Sequence, residues 1–177
     1  MKTLIFLLLS IFIYKTSAAQ AFVYKTEEDF LTSTGEEYTS FERHYNKGMT
    51  DYASFKKGNK KIELTCNTIW GFKTEEGDLY RIFKLEKIKK EGEPLLFIQQ
   101  GEFCIWLEGS KYVNEKKDKV TYSMIAVFYS KELTSELSGR TEFIEKYPQY
   151  KQLKKCPSPD LECPLEYLNS ISTEEKD

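Results

Sequence analysis

The chain has 177 residues, of which 26 are lysine or arginine and 28 are aspartate or glutamate, giving a formal net charge of −2. That balance argues against a nucleic-acid-binding protein, because such proteins usually carry a basic surface. Hydrophobic residues make up 40% of the chain, and its length is sufficient for one hydrophobic core.

The N-terminus has the pattern of a secretory signal peptide. Lys2 precedes an apolar run over residues 4–14, and small residues follow that run. The run is shorter than the roughly 20 residues that a transmembrane helix needs. We predict a signal peptide over residues 1–19, with cleavage after Ala19 or Ala21. The alternative is an N-terminal anchor that is not cleaved.

The predicted mature protein is exported, either periplasmic or secreted, and has no transmembrane segment. Loss of Lys2 and Lys15 leaves 24 of the 26 basic residues against 28 acidic ones. Residues 20–177 form a single predicted domain, with a polar tail from about residue 172. Four lysine pairs could form a basic patch, but such pairs more often solubilise and protect strand edges. They lie at 56–57, 60–61, 89–90 and 116–117.

All four cysteines lie in the predicted mature protein, and an even number in an exported chain indicates two disulfides. Four cysteines allow three connectivities. The segment CPSPDLEC places Cys156 and Cys163 seven residues apart around two prolines, which favours a bond between them. Cys66 and Cys104 are then expected to join two strands. The spacings match neither a C-x₂₋₄-C zinc site nor a C-x-x-C redox site.

The first predicted element after the cleavage zone is a short helix over about 27–33. Thr26 is followed three residues later by Asp29, which is a capping-box pattern. The helix would turn Phe30 and Leu31 inward. An extended arm is the alternative.

From about residue 50, apolar and polar residues alternate as they do in half-buried strands. Strands are predicted in DYASFKKG, KIELTC, TIWGFK, DLYRIFKLEKIKK, PLLFIQQ and EFCIWLEG. A TEEG turn with Gly77 joins the third and fourth of these as a hairpin, and Gly101 lies between the last two. Gly71 indicates a bulge or a close approach by another side chain. The segment KVTYSMIAVFYS, over about 119–130, is nearly continuously apolar at its centre, which indicates burial on both faces.

Helices are predicted after Ser130. KELTSELSG has the pattern of a short helix ending at Gly139, and RTEFIEKYPQYKQLKKC that of a second helix interrupted at Pro148. Pro164 begins a final helical turn through LEYLNSIS. The predicted fold is therefore α+β and mainly β, a strongly twisted antiparallel meander or partly open barrel with short N-terminal and C-terminal helices.

Three aromatic residues on the predicted strands, Trp70, Tyr80 and Trp106, allow two interpretations. As an exposed platform they would bind a sugar or a peptide. As core residues they would pack across strands, and large side chains dominate small cores. The core interpretation is favoured. Strand alternation puts Trp70 on the same face as Phe72 and puts Ile69 on the other.

The mature chain contains, in order, VYKTEEDF, IWGFKTEEGDLYRI, QQGEFCIWLEG and FIEKYPQY. In that order these segments resemble an uncharacterised family of exported proteins from Bacteroidetes-type bacteria. The resemblance covers most of the mature chain, whereas the proline–cysteine segment at 156–163 departs from it. It implies a Gram-negative envelope or secreted location, and it supplies no activity because none is assigned to that family.

Catalytic chemistry finds little support in the sequence. A Ser-His-Asp or Cys-His arrangement would depend on His44, the single histidine, which lies in a polar stretch and is expected at the surface. Glu63, Asp78 and Glu102 lie at outward or turn positions, so a buried pair of catalytic carboxylates is not indicated. The sequence has no phosphate-binding glycine loop, EF-hand series or H-E-x-x-H motif. We predict no enzyme, no cofactor and no metal site.

Two functions remain. The first is an interaction module that recognises a protein, peptide or glycan of the cell envelope through a sheet face or edge. Exposure of the three aromatic residues would favour it. The alternative is a lipocalin-like carrier of a small apolar ligand, which needs a closed barrel with an unfilled interior. The G-x-W opening of lipocalins is missing here, and the interaction module is our first prediction.

Overall fold

The computed structural model describes residues 20–48, 50–85, 90–114, 119–158 and 160–174. The predicted signal peptide, residues 1–19, lies outside the described residues. The strands within these ranges are β1 (Ala21–Tyr24), β2 (Glu36–Tyr38), β3 (Ser40–Lys47), β4 (Thr50–Lys57), β5 (Lys60–Thr65), β6 (Gly71–Lys73), β7 (Leu79–Leu85), β8 (Lys90–Gln100), β9 (Cys104–Asn114) and β10 (Lys119–Ser130). The helices are α1 (Glu27–Leu31), α2 (Arg140–Lys146) and α3 (Glu162–Glu174), and 3₁₀ helices occupy Cys66–Thr68 and Pro148–Lys155.

Two antiparallel sheets make up the described part of the fold. Seven strands pair in the order β10-β9-β8-β7-β6-β1-β2, and β3, β4 and β5 form a three-stranded sheet. A parallel pairing of Thr50 with Glu91 joins β4 to β8. The seven-stranded sheet is open, because its end strands β10 and β2 do not pair with each other. The predicted class, α+β and mainly β, is confirmed.

The predicted hairpin around Gly77 is formed by β6 and β7. Phe72 pairs with Tyr80, and Gly77 has a φ of +92°, which glycine adopts without steric cost. Gly71 lies so close to β7 that an added Cβ would stand 2.5 Å from the carbonyl oxygen of Tyr80. Close approach of the backbone of β7 therefore explains the glycine at position 71.

Most of the segments predicted as strands are strands in the structure, and β10 covers the predicted range 119–130. Within TIWGFK only Gly71–Lys73 is a strand, and residues 86–89 of DLYRIFKLEKIKK lie outside the described residues. The sequence pattern does not predict β1, β2 or β3. β3 has the polar sequence SFERHYNK. It is a strand because it pairs with β4 over most of its length, for example through Tyr45 and Tyr52. Cross-strand partners rather than its own composition decide its conformation.

Both faces of the seven-stranded sheet bury side chains. Along β9, Ile105 and Leu107 point to one face, while Cys104 and Trp106 point to the other, as strand alternation requires. The first face is covered by the three-stranded sheet and by the C-terminal helices. The second is covered in part by the segment 131–138, whose leucines pack against Trp106 and its neighbours.

The start of α1 matches the prediction, but only one of the two side chains predicted to face inward does so. The Thr26 hydroxyl accepts a hydrogen bond from the N–H of Asp29 at 3.1 Å, and the Asp29 carboxylate accepts one from the N–H of Thr26 at 2.9 Å. These two bonds form the predicted capping box. Phe30 turns inward and stacks on Trp70, with ring centroids 4.6 Å apart. The prediction for Leu31 is wrong, because this short helix ends there and 65% of the residue is exposed.

KELTSELSG is not a helix, contrary to the prediction. Its end returns to β10, where the N–H and C=O groups of Ser138 bond those of Tyr129. The carbonyl groups of residues 133–135 accept hydrogen bonds from Arg81. The N–H of Ser138 bonds Tyr129 and not the carbonyl group four residues earlier, as it would in a helix. Partners distant in sequence override the local helical pattern.

The other C-terminal helices agree with the prediction. α2 ends before Pro148, and α3 has Pro164 in its first turn, where the missing N–H of proline costs no hydrogen bond. α3 continues to Glu174. The described start of the predicted polar tail, residues 172–174, is therefore helical.

One of the two predicted disulfides is present. Cys156 and Cys163 are bonded, with Cα atoms 5.5 Å apart. The predicted bond between Cys66 and Cys104 is wrong, because both are buried thiols that belong to separate clusters of the core. Burial raises the pKa of Cys104 to about 11, which disfavours the thiolate, the reactive form of cysteine.

Candidate functional site

The three aromatic residues Trp70, Tyr80 and Trp106 do not form a common surface. Tyr80 is buried on one face of the seven-stranded sheet, and Trp106 is fully buried on the other. Trp70 is half-buried between Phe30 and Arg81. The interpretation of all three as an exposed binding platform is therefore wrong. Tyr80 and Trp106 are core residues, as the favoured interpretation predicts.

Trp70 also lies on a different face from the predicted one. Ile69 joins the buried cluster of Phe72, whereas Trp70 contacts Arg81 on the other side of the sheet. The reason is that β6 begins only at Gly71. The two preceding residues lie outside the strand and do not follow its alternation.

The polar candidates from the sequence lie on separate elements. Glu63 is on β5, Asp78 is in the β6–β7 turn, and Glu102 is in the β8–β9 turn, where its carboxylate accepts a hydrogen bond from the Tyr150 hydroxyl at 2.9 Å. The described lysine pairs favour the solubilising interpretation, because three of their members are ion-paired at the surface: Lys56 with Glu42, Lys57 with Glu36 and Lys61 with Glu63. The pairs at 89–90 and 116–117 have side chains outside the described set.

A groove runs along the outer edge of β10, the last strand of the seven-stranded sheet. Its volume is about 950 Å³, which is in the range of ligand-binding pockets. We call it the edge groove. Its lining consists of residues 125–129, residues 136–142, Pro157, Ser158 and Asp160, with Arg81 and Phe83 of β7.

The backbone of β10 offers hydrogen-bonding groups to the edge groove. Tyr129 bonds Ser138 through both its N–H and its C=O, at 2.9 and 2.8 Å, so both groups point away from β9. Because these directions alternate along an antiparallel strand, the N–H and C=O of Val127 also point away from β9. Within the described ranges these two groups have no backbone partner. The edge of β10 is therefore open to an added strand at Val127.

A β-bulge limits this open edge. The pairing of β10 with β9 shifts between Met124 and Ala126, which leaves Ile125 as the extra residue. Ile125 is 68% exposed. A bulge bends the strand and interrupts its ladder, so the regular edge that a partner could extend begins after Ile125.

Arg81 holds one wall of the edge groove. Its guanidinium group donates hydrogen bonds to the carbonyl oxygens of residues 133–135 at 2.5, 3.0 and 2.9 Å. The same group lies 4.5 Å from the ring centroid of Phe83 and 5.1 Å from that of Trp70. Burial lowers the pKa of Arg81, but a guanidinium group stays charged at neutral pH. Arg81 therefore fixes the segment 131–138 against the sheet.

The opposite wall depends on the disulfide. Arg140, the first residue of α2, donates hydrogen bonds to the carbonyl oxygens of Cys156 and Pro157. The bond between Cys156 and Cys163 closes the same loop. The loop residues that line the groove, Pro157, Ser158 and Asp160, are thus tied both to α2 and to α3.

The sequence predicts His44 at the surface, and this prediction is wrong. His44 is half-buried between the two sheets. Its ring centroid lies 5.6 Å from that of Tyr80. Nearby Asp51 is 4% exposed; one of its carboxylate oxygens accepts a hydrogen bond from Asn46 at 3.2 Å, and the other has no partner among the described residues. Burial lowers the pKa of His44, and the charge of Asp51 opposes that shift in part.

His44 is expected to make the protein less stable in mild acid. The pKa of His44 in the folded protein lies below the ordinary value of 6.5, so the unfolded chain takes up a proton at a higher pH than the folded protein does. Above pH 6.5 the full contribution of neutral His44 to the free energy of unfolding is present. As the pH falls from 6.5 to the pKa of the folded protein, this contribution is lost by at most about 1.4 kcal/mol per pH unit.

Thermal melts of the wild type and of His44→Gln, between about pH 7 and about pH 5, measure this loss. Glutamine has a polar side chain of similar reach that does not titrate, so the variant should lose less stability over the same window. Equal losses in the two proteins would show that His44 is not the group responsible.

Among the described residues, no three or more His, Cys, Asp or Glu side chains are grouped so that they could hold a metal ion. In the same ranges, none of the helices combines the length and the apolar character that crossing a membrane requires. No protein-family model matches the chain, and no curated protein sequence or solved structure matches it significantly. The edge groove is the site that the described structure supports best.

Proposed function

We propose that this protein is an interaction module that binds an extended peptide segment of another protein by strand addition to β10. The observation that carries the proposal is the open strand edge at Val127, which lies inside the edge groove. An added strand satisfies the outward N–H and C=O groups with its own backbone, as in other proteins that bind peptides at a sheet edge. The proposal assigns binding to this site, and no catalysis.

The shape of the edge groove suits an extended chain. A peptide paired with β10 would lie between that strand and the first turn of α2, because both line the groove. Side chains of a strand point alternately to its two faces. Every second side chain of the peptide would therefore face the apolar surface that Phe83, Phe128 and Leu137 contribute.

A location outside the cytoplasm fits this proposal. The disulfide between Cys156 and Cys163 is a feature mainly of exported proteins, and it closes a loop that forms one wall of the groove. The predicted signal peptide and the resemblance to exported proteins of Bacteroidetes-type bacteria agree with that location. The expected partner is a periplasmic, envelope or secreted protein.

The carrier of a small apolar ligand is not favoured. A lipocalin-like carrier needs a closed barrel around an unfilled interior, whereas the strand order here leaves the sheet open. The space between the two sheets holds a cluster of aromatic rings in mutual contact: Tyr38, Phe41, Phe55, Phe72 and Tyr80.

Replacing Val127 by proline tests the proposal. Proline removes the outward N–H, whereas the matched variant Val127→Ala shortens the side chain and keeps the N–H. Peptides selected from a random library on phage against the wild-type protein are measured by fluorescence anisotropy. We expect Val127→Ala to bind them within about threefold of the wild type, and Val127→Pro to bind at least about tenfold more weakly, since one hydrogen bond contributes about 1 kcal/mol and proline also obstructs the pairing.

Amide hydrogen exchange of the wild-type protein gives a second readout that needs no variant. A bound peptide should protect the amide of Val127, and this measurement decides the matter if Val127→Pro does not fold. Equal affinities for the proline and alanine variants would overturn the proposal. So would unchanged exchange at Val127, or a library from which no peptide is enriched.

A further inference from the structure

We propose that the peptide bound in the edge groove alternates apolar with basic side chains. This inference rests on the proposed function and specifies the chemistry of the partner. It follows from how the charged groups that line the groove are engaged: the two arginines donate to backbone carbonyl oxygens, whereas Glu136 pairs with an exposed lysine.

The two cations of the edge groove are directed at the backbone of this protein. Arg81 donates to the carbonyl oxygens of residues 133–135, and its Nε atom is buried without a hydrogen-bond partner. Arg140 donates to the carbonyl oxygens of Cys156 and Pro157. An acidic side chain of a peptide would have to compete with these carbonyl groups.

Two carboxylates that line the groove, Glu136 and Asp160, are better placed to meet a ligand. The side chain of Glu136 is 87% exposed, and its ion pair with Lys146 joins two exposed groups 3.4 Å apart. Exposed pairs of this kind contribute only about 0–1 kcal/mol, so a basic side chain of a peptide can replace Lys146 at little cost. Asp160 engages the N–H of Glu162 through one of its two oxygens.

The same groove has an apolar surface, formed by Phe83, Phe128 and Leu137. One set of side chains of an added strand meets this surface, and the alternate set is left for the acidic groups. Lysine and arginine suit the second set, because their long stems cover apolar surface while their charged ends reach carboxylates. Charge complementarity of this kind selects among partners more than it adds affinity.

Three end-capped octapeptides test the inference by fluorescence anisotropy at low salt. The first alternates valine and lysine, and the second alternates valine and glutamate. The third is the valine–lysine peptide with proline in place of every second valine, which keeps the charge but cannot pair along a strand. We expect the first to bind at least about tenfold more tightly than the second, with an affinity that falls as salt is added. We expect no binding of the third.

The double variant Glu136→Gln/Asp160→Asn removes two charges and keeps the hydrogen-bonding oxygen of residue 160. Its matched control, Glu76→Gln/Glu166→Gln, removes two charges from exposed positions outside the edge groove. The preference for lysine over glutamate should fall below about threefold in the first double variant and stay unchanged in the control.

The outcomes separate this inference from the proposed function. If the lysine and glutamate peptides bind equally and Val127→Pro still abolishes binding, the basic partner is wrong and strand addition stands. If the valine–lysine peptide does not bind while library-selected peptides do, the basic partner is wrong and strand addition stands. If the valine–lysine peptide binds Val127→Pro as well as Val127→Ala, both proposals are overturned. Binding of the proline-containing peptide would also overturn both, since the attraction would then depend on charge alone.

Discussion

Replacing Trp106 by alanine is expected to lower the free energy of unfolding by about 3–5 kcal/mol. Trp106 has no exposed surface, and its ring lies 5.5 Å from that of Phe83 and 5.2 Å from that of Phe97. Its indole N–H donates a hydrogen bond to the Ser130 hydroxyl at 2.9 Å. Alanine removes these contacts and leaves a cavity beneath β10. Urea unfolding followed by circular dichroism measures the change.

Two further variants serve as comparisons: one separates the hydrogen bond of Trp106 from its packing, and the other replaces a tryptophan that is only half-buried. Trp106→Phe keeps an aromatic ring in the core and removes the N–H donor, so a loss of about 1–2 kcal/mol is expected. Trp70→Ala should cost about 1–2 kcal/mol, because Trp70 is only half-buried. An unfolding midpoint of Trp106→Ala equal to that of the wild type, or a larger loss in Trp70→Ala, would contradict the burial described here.

The parts of the fold that depend on neighbouring residues are predictable from the sequence. Alternation identifies β5 most clearly, because Ile62 and Leu64 pack against the core while Lys61 and Glu63 are exposed. The turn at Gly77 and the capping pattern of Thr26 and Asp29 need only a few adjacent residues. For the same reason the disulfide of Cys156 with Cys163 is predictable, since a short proline-containing loop brings the two together.

The parts that depend on distant partners are not predictable in this way. β3 is polar and becomes a strand only through β4. KELTSELSG has a helical pattern, but its carbonyl groups bond Arg81, about fifty residues earlier in the chain. Cys66 and Cys104 both occur beside apolar strands, and no local signal shows that they enter different clusters of the core.

The edge groove also depends on residues that are distant in the sequence. It needs the bulge at Ile125, the pairing of Tyr129 with Ser138 and the loop closed by the disulfide. The sequence shows that KVTYSMIAVFYS is apolar, which indicates burial. It does not indicate that one edge of this strand lacks a partner strand. The aromatic residues drew attention to binding because of their type, but a sequence alone does not distinguish a tryptophan in the core from one at the surface.

Arg81 connects the fold to the candidate site, and its replacement by methionine is expected to lower the free energy of unfolding by about 2–4 kcal/mol. Methionine fills much of the same space but offers no donor to the carbonyl groups of residues 133–135. It also removes the cation from between Trp70 and Phe83. The segment 131–138 should then exchange its amide hydrogens faster than the rest of the sheet, which exchange measured by mass spectrometry can show.

Arg81→Lys is the informative control, because it keeps the charge and loses the planar fork of donors. An ammonium group cannot reach three successive carbonyl oxygens while stacking between two rings, so the lysine variant should lose nearly as much stability as the methionine variant. If lysine restores stability fully, the charge rather than the hydrogen-bond geometry holds the segment. If neither variant changes the exchange of residues 131–138, Arg81 does not fix this wall, and the edge groove keeps its shape through Ser138 and Arg140 instead.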